Sequence, residues 1–492
     1  MEKHDSKLKF YGSSWVALIP FIAFIGSLLI FATHRMKSSQ PALMGITLLS
    51  IGLISFLAKD STEFWKVLVK GMTKPSVGMF LLIFTMVGIF SALLNAGGVA
   101  GGIIWLASIA HIKGSLFIGF TFIACAILST GSGSSMATVL TLGPALYPAG
   151  VILGANPFVL AGALISGANF GDTLAPVSDV TIAATGNQFF RKTDRAADIG
   201  GTVKARFKYA IVAGLASLVI LMLLGSSGGN YLGAEEANAL IQSYSNALGL
   251  LMLVPVAIII YFSTSGKHIG TSLMAGIISA IVIAVGIGAI SPSDLIGVND
   301  SMKLVGIIPS GVVKMINLII IMGLLMGAGH IMLMSGVMHD IVAKLSSVAK
   351  TPRSTEIVSV ILAAIMGMLG GFAVMGIAVA GPFVDALGKE QKLHPYRRAN
   401  ILSTTTTSIC HAVPWSSQLF VLAGFLVSMK DTFTFIPDIA TTDFFMYCIH
   451  PWVLPIVMLI AAYTGWGRIF EDDDENMISG NFKNEIPKEL VG

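Results

Sequence analysis

The feature that most constrains this chain is a series of long apolar runs separated by short polar connections. A helix needs about 20 mostly apolar residues to cross the hydrocarbon layer of a bilayer. Runs near that length fall at 15–33, 42–58, 76–95, 207–225, 247–265, 270–290, 311–335 and 445–467. Two further regions, 157–187 and 397–428, are long enough to cross but are interrupted by Gly, Pro and hydroxyl residues, and in the first by Asp. These read as broken helices. Of the 492 residues, 54% are apolar and 11% charged, against roughly 25% charged in a soluble globular protein. The expectation is an all-α polytopic membrane protein embedded in a lipid bilayer, not a soluble enzyme. The first run follows a basic start (Lys3, Lys7, Lys9) and lacks a small-residue cleavage site, so it reads as a retained span.

The segments Ser115–Leu128 and Met136–Pro148 are apolar but short, and the polar stretch STGSGSS (Ser129–Ser135) separates them. Two short arms with a polar tip predict a re-entrant hairpin, because non-helical backbone at membrane depth survives only where protein or a water-filled cavity satisfies it. The arms around Gly370 and Gly371 read the same way. Ten crossings and two hairpins, with the N-terminus inside, place 24 of the 30 Lys and Arg residues on the inner side, as the positive-inside rule requires. The chain is thus expected to be multi-pass in a cytoplasmic membrane with both termini cytoplasmic. The tail 469–492, with its acidic run Glu471–Glu475, is expected to be solvated.

An offset of 238 residues pairs Gly133 with Gly371, Gly143-Pro144 with Gly381-Pro382, Pro157 with Pro395, Pro176 with Pro414 and Ser178 with Ser416. This predicts two repeats, 1–235 (hairpin 115–148, broken helix 157–187) and 240–468 (hairpin 357–388, broken helix 397–428). Each holds five crossings and one hairpin. Five is odd, so the second repeat should be inverted. Inverted repeats with discontinuous helices near the midplane are a sequence-readable sign of a secondary transporter.

Ionisable groups inside spans are costly enough to mark function. The first break, SGANFGDTLAPVSDVTIA, gathers Asn169, Asp172, Ser178 and Asp179. Pro176 removes a backbone donor and suits the first turn of the second half-helix. Two carboxylates, an amide, a hydroxyl and freed carbonyls form an all-oxygen set suited to a hard cation such as sodium, or to a proton. Capping of a half-helix is the alternative role for Asp179. Thr130, Ser132, Ser134 and Ser135 of the hairpin tip are candidates to line the same site. In the second break, STTTTSICHAVPWSS, the offset sets Cys410 against Asp172 and Ser417 against Asp179, so both carboxylates are missing. Thr404, Thr405, Thr407, Ser408, His411 and Ser416 remain as candidates for a second ion or an organic solute, against simple interhelical hydrogen bonding.

Other features point away from chemistry. Cys125, Cys410 and Cys448 have neither disulfide nor zinc spacing. No basic cluster interleaved with aromatics suits nucleic acid. The 24 methionines read as core filler, and His330 as a core histidine or a proton carrier. Gly97, Gly98, Gly101 and Gly102 should allow close helix approach.

SGANFGDTLAPVSDVT and HAVPWSS resemble the two motif regions of the NhaC sodium/proton antiporter family. The resemblance implies sodium coupling, a bacterial-type inner membrane, ion-binding roles for Asp172, Ser178 and Asp179, and Na+ and H+ as transported ions with no cofactor. Exchange of Na+ for H+ is the implied activity. The alternative is sodium-coupled symport or exchange of a small organic solute, an amino acid or carboxylate, on the same fold. The chain departs from the family at Met136, where many members have tryptophan, and at Ser403 and Thr404, where members often carry an acidic pair. A homodimer is compatible with this reading.

Overall fold

The structure, a computed structural model, describes residues 8–33, 40–227, 231–265, 267–298, 301–337, 340, 348–370, 373–430, 432–480 and 486–487. The chain is predominantly helical. The helices are α1 (Ile19–Thr33), α2 (Gln40–Ser55), α3 (Ser61–Met72), α4 (Pro75–Ala96), α5 (Val99–Ile109), α6 (Gly114–Ser132), α7 (Ser135–Ile152), α8 (Pro157–Leu174), α9 (Asp179–Gly186) and α10 (Ile199–Ser227). They continue with α11 (Ala234–Tyr244), α12 (Leu253–Thr264), α13 (Ile269–Gly286), α14 (Ile307–Met334), α15 (Pro352–Gly370), α16 (Ala373–Glu390), α17 (Pro395–Cys410), α18 (Ser417–Met429) and α19 (Ile449–Thr464). Among the described residues seven helices are long and apolar enough to cross a membrane, or up to ten spans if each of three bent pairs counts as one.

The helix bounds repeat at the expected offset. A shift of 238 carries Gly114–Ser132 onto Pro352–Gly370 and Ser135–Ile152 onto Ala373–Glu390, and it carries the starts of α8 and α9 onto those of α17 and α18. Packing repeats as well: α6 lies on α7 and α8 as α15 lies on α16 and α17, and the halves meet where α7 touches α18 and α16 touches α9. The expected breaks are present. α8 and α9 are bent by 44° across Ala175–Ser178, with Ala175 and Ser178 both extended. Between α17 and α18, His411 closes one helix and Ser416 opens the next by accepting a hydrogen bond from the Gln418 amide.

Two expectations are corrected. The first hairpin's arms are 19 and 18 residues long, not 13 or 14, because the hydroxyl-rich tip is itself helical up to Ser132. At 1.5 Å per residue, arm length therefore does not by itself separate a hairpin from two spans. What limits the hairpin is its seat: Gly133 adopts a left-handed φ of 65°, and a Cβ there would meet Val177 Cγ2 at 2.7 Å and the Ser178 nitrogen at 2.9 Å. The tip thus ends against the break, while α9 continues beyond it. Gly371, the expected tip of the second hairpin, lies outside the described residues.

The second correction concerns part of the acidic tail, in which Asp473 and Asp474 are exposed as expected but Glu471 is not. Ile469–Glu471 pairs antiparallel with Met477–Ser479, Phe470 is fully buried against Leu393, and the Glu471 side chain is fully buried. Its Oε1 accepts from the Arg191 amide at 2.7 Å. Glu475 accepts from the backbone and hydroxyl of Thr193, which hold its carboxyl below the usual range. Arg397 and Arg468 both bond the fully buried Glu356, at 2.8 and 3.0 Å. A run of acids usually signals a solvated terminus; here complementary arginines on α17 and on the α9–α10 connection dock it.

Candidate functional site

The two breaks and both hairpins converge on one cavity of about 220 Å³. Its walls are Ser134–Met136 from the first hairpin, Ala373–Met375 from the second, Asp172 and Asp179 from the first break, and Cys410, His411, Ser417 and Gln418 from the second. Met326 of α14 completes it, so three methionines line the cavity.

Asp172 is buried in the last turn of α8. Helix α8 packs so closely on α6 that a Cβ on Gly171 would sit 2.2 Å from the Ala126 carbonyl oxygen. A relay crosses from one half of the molecule to the other: Gln418 Nε2 donates to Ser135 Oγ at 2.7 Å, and Ser135 Oγ donates to Asp172 Oδ2 at 3.0 Å. Asp172 Oδ1 and Gln418 Oε1 are buried without a hydrogen-bond partner. Asp179 faces the cavity, and its Oδ1 accepts from the Val180 amide at 2.8 Å. It is therefore both a half-helix cap and a cavity carboxylate.

Asn169 forms a second bridge between the halves. Its Nδ2 lies 2.7 Å from His411 Nδ1. Its Oδ1 lies 2.8 Å from His450 Nδ1 and accepts from Ser408 Oγ at 3.2 Å. The amide joins α8 to α17 and α19 through side chains.

The remaining expected residues divide. Ser178 is buried at the start of α9 beside Asp172. Ser134 caps α7 and Ser416 caps α18. Thr130 donates to its own helix at Ala126, and Ser132 makes only contacts of about 3.5 Å within the tip; neither reaches Asp172. Thr404 and Thr407 bond back to the carbonyls of Asn400 and Ser403. The Thr405 hydroxyl is buried without a partner. His330 is buried in α14 but does not line the cavity.

Four participants escaped the sequence reading: Ser135 as the Asp172 partner, Gln418, His450 and Arg206. Ser135 was one hydroxyl among several, and only the register of α7 selects it. Gln418 and His450 are lone polar residues in apolar runs, which an intramembrane-polar search would have flagged. Arg206 fell among residues counted as a cytoplasmic connection, whereas it is fully buried in α10.

Residues 190–466 match the Na+/H+ antiporter family, which is more than half of the chain. The chain belongs to this family. It is a multi-pass membrane transporter and not an enzyme. Among relatives, it is 24% identical over 480 residues to the arginine/ornithine antiporter ArcD of Halobacterium salinarum, covering 94% of each chain. It is 26% identical over 378 residues to the malate-2H(+)/Na(+)-lactate antiporter of Bacillus subtilis, covering 73% of this chain and 77% of that one. A shorter stretch of 106 residues is 36% identical to the Na(+)/H(+) antiporter NhaC of Alkalihalophilus pseudofirmus, covering 22% and 23%.

Proposed function

We propose that the protein exchanges Na+ for H+ across a cytoplasmic membrane, with both ions competing for the oxygens around Asp172. The observation that carries this reading is the pair of buried oxygens left without partners, Asp172 Oδ1 and Gln418 Oε1, in residues that line one cavity with the Asp179 carboxylate. Buried acceptors without donors are costly, and a cation or a proton relieves that cost. Ser135 fixes the orientation of Asp172, so its free oxygen stays aimed at the ligand. A bare carboxylate is expensive to carry through low dielectric; the site therefore reorients readily only when loaded. That condition couples the two ions. The repeat offset, the odd number of crossings expected per half and the first hairpin's tip seated on the first break support two inverted repeats with re-entrant hairpins as the moving parts. The Lys and Arg distribution supports cytoplasmic termini.

The cavity volume favours a second reading, coupled transport of a small organic solute. At about 220 Å³ the space far exceeds the roughly 10–15 Å³ that one water requires, and the two longest-matching relatives named above carry amino acids or organic acids by name. Purified protein in liposomes, recording internal pH and sodium together and then challenged with amino acids and carboxylates, tests both. Sodium-driven proton movement without added solute supports the first reading. Movement only with a solute supports the second, and absence of any sodium dependence overturns both.

A further inference from the structure

Arg206 is a buried cation with no carboxylate bonded to it. It is 1% exposed, and its Nη1 donates to the Thr173 carbonyl at 2.8 Å and to Thr181 Oγ1 at 3.0 Å. Its Nε donates to Asn400 Oδ1 at 2.9 Å, and Nη2 is buried without a partner. All three partners are neutral. Thr173 precedes the first break, Thr181 follows it, and Asn400 belongs to the second half, so the guanidinium straddles the break at the point where the halves meet. Asp172 directly precedes Thr173, whose carbonyl the guanidinium binds.

The other buried arginines near the cytoplasmic end are accounted for. Arg397 and Arg468 share Glu356, while Arg398 bonds Asp385 at 2.6 Å and lies 4.0 Å from Glu471. Each of these three arginines is paired with at least one acid. Of the elements packed on α10, α6 carries no charged residue, α17 contributes Arg397 and Arg398, each paired with an acid, α19 contributes His450 bonded to Asn169, and α8 and α9 contribute only Asp172 and Asp179. Lys204 and Lys208 of α10 itself are exposed. What remains is two carboxylates that line the cavity and one guanidinium buried across the first break beside it.

We propose that Arg206 is a tethered cation of the transport site, which holds the net charge at −1 when both carboxylates are ionised and so restricts the cargo to one monovalent cation. The inference rests on the cation-site reading above. In low dielectric an unbalanced charge is strongly disfavoured. One sodium brings the cluster to zero, whereas a divalent ion leaves it at +1. Two carboxylates alone would prefer a divalent ion or two monovalent ones.

The test is equilibrium binding of radioactive sodium and calcium to the purified full-length protein in detergent at one fixed alkaline pH, with folding checked by thermal melting. Wild type should bind sodium and exclude calcium. Arg206→Gln should gain calcium binding, with the calcium-to-sodium preference rising at least about tenfold, and Arg206→Lys should stay close to wild type. Asp179→Asn, which leaves the cluster neutral, should weaken sodium binding at least about tenfold. The double variant Arg206→Gln/Asp179→Asn restores −1 and should recover most of that loss, which no purely structural strap would do. A double variant that is unfolded, or weaker than Asp179→Asn alone, overturns the inference while leaving the cation site standing; so does an unchanged ion preference in folded Arg206→Gln. Wild-type protein that binds no sodium overturns the cation site and this inference together.

Discussion

The two breaks occupy equivalent places in the chain, 238 residues apart, yet they are filled with opposite chemistry. In the first, Asp172 and Asp179 line the cavity. In the second, Cys410 and Ser417 hold those places, and the hydroxyls of Thr404 and Thr407 are spent on their own helix. The second break is nonetheless connected to the site: it sends Gln418 to Ser135 and, with Ser408 and His411, holds Asn169. The difference is that the first break supplies the carboxylates of the cavity, while the second supplies groups that hydrogen-bond to their neighbours.

If that division of labour is right, removing the connector should cost most. Asn169→Ala strips partners from His411, Ser408 and His450 at once. Each buried polar group left unpaired costs about 1–3 kcal/mol, so sodium-dependent uptake in liposomes should fall by about 100-fold with the protein still inserted. Retention of near-normal uptake would dissolve the link between the breaks.

Gln418→Ala leaves both carboxylates in place but removes one cavity oxygen and the donor to Ser135. The apparent sodium affinity should weaken by about tenfold, consistent with one lost hydrogen-bonding group of about 1.4 kcal/mol. An unchanged affinity would mean that the second half does not contribute to the site. Thr404→Ala and Thr407→Ala should each change transport by less than about twofold, because their hydroxyls serve only the local helix. A large loss in either would restore a second-half site that the side-chain contacts do not support.

The smallest expected effect lies in the connection between α9 and α10, where Asp194 pairs with Lys389 of α16. The Lys389 ammonium holds the Asp194 carboxyl below its usual range. A depressed carboxylate contributes stability above its unfolded value of about 4 and loses it only as pH falls through the lower folded value. Asp194→Asn should therefore lower the melting temperature in detergent slightly and by the same amount at pH 6 and pH 8, without moving the pH profile of transport. A profile that shifts would relocate pH sensing from the first break to the α9–α10 connection.

The spans, the breaks, the repeat offset and the placing of Asp172 at the cavity were legible in the sequence because each depends on local composition or on residues scarce within apolar runs. Helix ends were less so: the tip hydroxyls Thr130 and Ser132 bond within the hairpin and extend α6, which no apolar-run rule captures. The partners were hidden because Ser135, Gln418 and His450 acquire meaning only through contacts 37 to 283 residues away. The tail was misread for the same reason, since the arginines that neutralise it are distant in the chain.

The charge-binding role of the first break is tested most directly by equilibrium sodium binding to purified Asp172→Asn. The amide keeps the shape and the Ser135 contact but removes the charge that balances the cation. Sodium binding should be lost at concentrations that saturate wild type, with the melting temperature retained. Sodium affinity equal to wild type in the folded variant would contradict the site.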